Sequence, residues 1–313
     1  MRMRQVVRVV IGAVLLLGQV LSAQAATVRD SAGQEVEVAQ PFCRIISLYP
    51  AHTENLAALG LADELIGIGE GDDYPPALLD KPRFSYKADP EKFLAARPDL
   101  VLIRPMIERA YPQLIDKLRA GGIVVVSLQP NTVEEIADYW RALGLLTGRA
   151  AGAEKMVSDF RDGMAAMAAR VAPISAEKRM RVYFAAIHKK MKTFAPQSIA
   201  MYALEQAGGV NVAADAFQVR ETNIAEYGKE RILAKGQEID VFLAQQGRMN
   251  PVTREAIMSE PGFQALTAVR QGRVYLVDER LVSRPTLRIL DGVRQIHAML
   301  YPDRAAEGAA GAH

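Results

Sequence analysis

Apolar residues recur along this chain in two rhythms. Around Gly33, the segment Thr27–Val38 (TVRDSAGQEVEV) alternates polar and apolar positions, which predicts a β-hairpin. Short apolar runs without alternation follow at Arg44–Leu48, Glu64–Ile68, Asp99–Ile103 and Ile123–Ser127. Runs such as LVLI and IVVVS have no polar face, the pattern of strands covered on both sides. Between them, Pro90–Ala96 and Tyr111–Ala120 carry helical spacing. Strand–helix alternation of this kind predicts a parallel sheet with helices on both faces.

The order then changes. Thr132–Leu146 reads as a helix, and Ala150–Val171 as a longer one. Ala153, Met156, Val157, Phe160, Met164, Met167, Ala168 and Val171 keep i, i+3, i+4, i+7 spacing over a helix roughly 33 Å long at 1.5 Å per residue, and Pro173 ends it. A second strand–helix series runs through Met180–Ile187, Gln197–Ala207, Glu230–Ala234, Asp240–Ala244, Arg273–Val277 and Thr286–Leu300. The expected fold class is α/β, with two parallel-sheet lobes joined by a single long helix. The expected boundaries are a leader at 1–25, a first lobe at 26–148, a linker helix at 149–174, a second lobe at 175–303 and a frayed tail at 304–313. One stiff helix predicts small lobe motion. A ligand would sit between the lobes, beyond the carboxyl ends of the strands.

Composition narrows the classes. Half of the 313 residues are hydrophobic and 24% are charged, as in a folded chain. Lys and Arg total 38 against 36 Asp and Glu; Arg2, Arg4 and Arg8 precede an apolar run, so the rest of the chain is near neutral. No basic face for nucleic acid is expected. The opening, with its apolar stretch from Val9 to Leu17 and small residues at Ala23 and Ala25, predicts a secretory signal peptide cut after Ala25. That stretch is short of the roughly 20 residues a membrane span needs. No Cys lies near the cut, so a lipid anchor is not indicated, and the mature protein is expected to be soluble and outside the cytoplasm. The single Cys excludes a disulfide scaffold, and Cys43 is expected to be a small buried hydrophobe. Four His make an all-His metal cage a poor reading, so no metal site is assigned. GIGEGDD at Gly67–Asp73 resembles a pyrophosphate cradle, but acids and Pro75-Pro76 follow where a helix start is needed. With no G-x-S-x-G, Walker or H-E-x-x-H pattern, no catalytic residue is assigned and an enzyme is not expected.

Several segments carry a resemblance. RIISLYPAHTENLAALGLADELIGIG (Arg44–Gly69) is similar to the opening of the periplasmic binding proteins of cobalamin and iron-chelate ABC importers, where a strand, a Ser-x-x-Pro turn and a Thr-Glu helix start occur in this order. DPEKFLAARPDLVLI resembles the family's second signature, and LEQAGGVNVAADA, ERILAKGQEIDVFLA and VRQGRVYLVDERLVSRP follow in the family's order. The matches cover nearly the whole mature chain. The resemblance implies two α/β lobes on one helix and a shallow cleft for a large metal chelate, either a ferric siderophore or a corrinoid, with haem as the alternative. It also implies delivery to an ABC permease in the periplasm, by a monomer, with no cofactor of its own.

The same resemblance implies roles for particular residues. Tyr86, at the end of DDYPPALLDKPRFSY, stands where the cobalamin binder has a cleft-facing Trp. Glu54 and Glu230, each at a helix start on a different lobe, match the exposed glutamates that meet permease arginines; Glu226 is the nearby competitor. From position alone, Tyr49 in the turn after the first strand and Arg104 after DLVLI are ligand candidates. His188 after VYFAAI, Arg248 after AQQG and Arg284 in VSRPT are the second-lobe candidates. Arginines suit carboxylate-bearing ligands because the guanidinium fork binds them bidentately. His52 is read as a helix-start residue and Trp140 as helix packing.

Overall fold

A computed structural model describes residues 26–218 and 222–302. The expected leader at 1–25 and tail at 304–313 lie outside the described residues. The predicted hairpin is β1 (Ala26–Arg29) and β2 (Glu35–Val38), turned at Gly33 with φ 80°. The first lobe then alternates β3 (Ile45–Ser47), α1 (Pro50–Ala58), β4 (Leu65–Gly69), β5 (Arg83–Phe84), α2 (Pro90–Ala96), β6 (Leu100–Ile103), α3 (Pro105–Ala110), α4 (Pro112–Ala120), β7 (Val124–Ser127) and α5 (Ile136–Leu146). Its five strands are all parallel, in the order β5-β4-β3-β6-β7. α1 to α4 each begin with Pro in the first turn, where the missing N–H has no partner to lose. Gly67 on β4 is needed for packing, because a Cβ there would fall 2.3 Å from the Phe84 ring.

α6 (Ala150–Val171) has the bounds its periodicity predicts, and Ala153, Met156, Val157, Phe160, Met164, Met167 and Val171 form its buried stripe. The stripe serves both lobes. Phe160 meets Trp140 of α5 edge to face at 5.6 Å. Gly163 lets the second lobe approach so closely that a Cβ there would lie 2.5 Å from a Leu290 methyl. One apolar cluster therefore runs from Ile45 and Leu100 through Met156 and Phe160 to Val182, Val293 and Leu300.

The second lobe comprises β8 (Arg181–Ile187), β9 (Lys192–Phe194), α7 (Ile199–Gln206), β10 (Val210–Asn211), β11 (Phe217–Gln218), β12 (Ile224–Glu226), α8 (Lys229–Ala234), β13 (Val241–Gln246), α9 (Arg254–Met258), α10 (Thr267–Arg270), β14 (Val274–Asp278), α11 (Glu279–Val282) and α12 (Ile289–Leu300). β10, β8, β13 and β14 pair in parallel. The sheet departs from the all-parallel expectation at one edge, where β9, β12 and β11 join antiparallel. The cause is a tight turn: after β8 the chain makes a single 3-10 turn at His188–Lys190, passes through a left-handed Met191 (φ 49°) and folds back.

Candidate functional site

β3, the first strand of the five-stranded first-lobe sheet, lies between β4 and β6, so the connections after it diverge and leave a crevice at its carboxyl end. Tyr49 follows β3 and Arg104 follows β6, which brings the guanidinium 5.2 Å over the tyrosine ring. Both face a cleft of about 1150 Å³ between the lobes. Pro105, Met106 and Arg109 extend the first-lobe wall along α3, while Phe194, Asn223, Ile224, Met249 and Ser283 form the opposite wall. A smaller chamber of about 400 Å³ shares Tyr49, Arg104, Met249 and Ser283 with it and adds Tyr86, Lys87, Glu70, Arg248, Glu279 and Arg284. Tyr86 stacks at a tilt on Tyr111, ring centroids 5.0 Å apart. Arg248 reaches across the seam to Gly71, where a Cβ would stand 2.9 Å from its Nη1.

Beneath the crevice, α1 carries a buried polar chain. Asn55 Nδ2 donates to the Tyr139 hydroxyl at 3.2 Å, and that hydroxyl meets His52 Nδ1 at 2.7 Å. His52 Nε2 meets the Ile103 carbonyl at 2.9 Å; the carbonyl can only accept, so the neutral ring carries its proton on Nε2. Burial pushes this histidine down to about 4. Thr53 Oγ1 donates to Asp72 Oδ2 at 2.5 Å, and the Gly69 N–H donates to the same oxygen. Burial nevertheless pushes the Asp72 carboxyl up to about 6. The lobes are tied together at the same level. Arg284 Nη1 donates to Glu54 Oε1 at 2.5 Å and to Asp73 Oδ1 at 2.7 Å, and Arg288 donates to Glu54 Oε2 at 3.2 Å. The Pro285 carbonyl accepts from both Asn55 Nδ2 and the Trp140 indole.

The sequence model of the periplasmic binding protein family matches residues 45–281. The chain belongs to that family. A vitamin B12-binding protein of Vibrio cholerae is 30% identical over 263 residues, 83% of this chain and 90% of that protein. The crystal structure of a periplasmic vitamin B12-binding protein of Vibrio cholerae aligns with a TM-score of 0.64 at 28% identity, covering 84% of this chain and 98% of that one. The structure of an ABC-type Fe3+-hydroxamate transport system from Saccharomonospora viridis aligns at 0.69 and 25% identity, covering 88% and 98%.

Within this periplasmic binding protein, Tyr49, Arg104, Tyr86, Arg248 and Arg284 all line one or both chambers. Arg284 does so with its guanidinium already held by two carboxylates. His188 is not among the chamber residues. Its ring packs on Phe263 and Phe242, centroids 5.8 and 6.1 Å away, because the turn after β8 swings the chain away from the seam. Its backbone N–H donates to Asn250, and burial pushes its imidazole below the ordinary value. Glu54 is also corrected: the exposed carboxylate expected there is buried beneath Arg284 and Arg288. Glu230 is exposed in the first turn of α8, whereas its competitor Glu226 pairs with Lys192. Cys43, expected inside, is exposed, and its thiol is pushed up by the hydrogen bond to Asp99. Phe194 and Ile224 of the wall were missed because three-residue strands leave no periodicity to read, and Asn223 because it lies in the connection before β12. Arg109, on the short helix α3, was also missed.

Proposed function

We propose that this chain is the solute-binding component of an ABC importer, and that it captures a metal chelate between its lobes and hands it unchanged to a membrane permease. The observation carrying this reading is the cleft itself. A volume of about 1150 Å³ exceeds the 300–1000 Å³ usual for small-ligand pockets, and it is walled from both lobes by rings, thioethers and cations. A bulky chelate, a ferric siderophore or a corrinoid, fits such a space, and the names carried by the relatives point the same way. The metal is cargo, and no catalytic step belongs to this reading.

Export rests on the leader at 1–25, and the periplasm is the compartment proposed for the mature monomer. Glu230 is the docking carboxylate proposed on the second lobe. Native mass spectrometry of the protein taken from its own periplasm tests the reading, since a retained chelate identifies itself by mass. Absence of any adduct, together with no binding of cyanocobalamin, a ferric trihydroxamate or haemin on titration, would discard it.

A further inference from the structure

Among the described residues, the larger chamber holds more positive charge than its own carboxylates match. Arg104 and Arg109 both face it from the first lobe, and among the described residues neither guanidinium makes an ion pair or a hydrogen bond. Among the described residues the one carboxylate on its wall, Glu135, accepts from the Asn131 N–H at 2.7 Å. Other arginines near the cleft or beneath it are taken up by the fold. Arg44 binds the Ala96 and Arg97 carbonyls, Arg83 binds three carbonyls, and Arg284 binds two carboxylates.

Across the seam, Arg248 makes no ion pair among the described residues and borders the smaller chamber opposite Lys87. That chamber also contains Glu70 and Glu279, and Glu279 accepts from the Met249 N–H at 3.1 Å. The unmatched charge therefore lies at Arg104, just before α3, and Arg109 on it, while Arg248 lines the smaller chamber that Arg104 also borders.

Cargo entering this cleft strips water from Arg104 and Arg109. A guanidinium desolvated without a partner is unfavourable, whereas an oxygen anion on the cargo restores a forked, charge-assisted pair. We infer that the cargo is an anionic chelate, whose carboxylate or catecholate oxygens are held by Arg104 and Arg109 with Arg248 reaching from the other lobe, and that uncharged chelates of similar size are discriminated against. This rests on the chelate-capture reading above.

The test titrates the mature protein with four probes: a ferric tris-catecholate and ferric citrate as anions, cyanocobalamin and an uncharged ferric trihydroxamate as neutral controls. At least one anion should bind about tenfold more tightly than either neutral probe, and which anion does so separates catecholate from carboxylate recognition. Arg104→Gln combined with Arg109→Gln should erase that margin, and Arg109→Glu, at an exposed position, should weaken the anion alone. A neutral probe binding as tightly as the anions, or a margin that survives in the double variant, overturns the charge rule while leaving chelate capture intact. Binding of none of the four overturns the charge rule, and chelate capture falls with it if haemin also fails to bind and the native protein carries no adduct.

Discussion

Glu54 and Arg284 meet at 2.5 Å across the seam between the lobes, with side-chain exposures of only 3% and 10%. An ion pair so deeply buried adds little over a well-packed apolar pair, yet removing one partner leaves an uncompensated charge. Asp73 stays with Arg284, but Arg288, whose guanidinium lies 4.0 Å over the Tyr74 ring, would lose its carboxylate.

Glu54→Ala should therefore lower the unfolding free energy by about 3 kcal/mol in urea denaturation. Glu230→Ala should leave the urea midpoint unchanged and weaken capture of the liganded protein by its reconstituted permease. Equal stability of the Glu54 variant and wild type would remove the latch, and undiminished docking of the Glu230 variant would remove that role.

Asp72 makes stability depend on pH in a predictable direction. Its carboxyl titrates at 3.8 ordinarily and at about 6 in the fold. Its stabilising contribution is thus fully present below 3.8 and lost as pH rises through 6, a swing of about 3 kcal/mol. His52 works against it: with 6.5 pushed down to about 4, its contribution is present above 6.5 and lost as pH falls through 4. Comparison with Asp72→Asn cancels the histidine. The variant should be more stable than wild type at pH 7.5, and the gap should narrow by about 2 kcal/mol at pH 4.5. A gap that does not move with pH would refute the assignment.

His188 and Tyr49 should separate cleanly. His188→Ala should reduce stability by about 2 kcal/mol through lost packing on Phe242 and Phe263, without changing the affinity for any chelate. Tyr49→Ala should weaken binding, since it takes the ring from beneath Arg104. Isothermal titration reads both, and a His188 variant with impaired binding would place that ring in the site after all.

Gly67→Ala should cost about 2 kcal/mol, because the added methyl meets the Phe84 ring and Ile46 inside the sheet. A thermal melt at the wild-type midpoint would show that β5 yields without strain.

Much of this architecture is legible in the sequence because it repeats over long segments. The bounds of α6 and α2 follow directly from their apolar spacing and prolines. Tyr49 and Arg104 were locatable because residues just past parallel strands collect at one sheet edge. His188 defeated the same rule, since one turn ending in a left-handed Met191 reverses the chain, and no residue there announces it. Glu54 was misread for another reason: its partners, Arg284 and Arg288, lie 230 and 234 positions away, a distance over which local pattern carries no information.

The apolar stripe of α6 gives the molecule a single keel. A chain severed near residue 172 would leave Met156, Phe160 and Met164 on one fragment without the packing of α12, and Leu290 and Val293 on the other without their bed. The bilobed protein should accordingly melt in one cooperative step, and neither half expressed by itself should stay in solution.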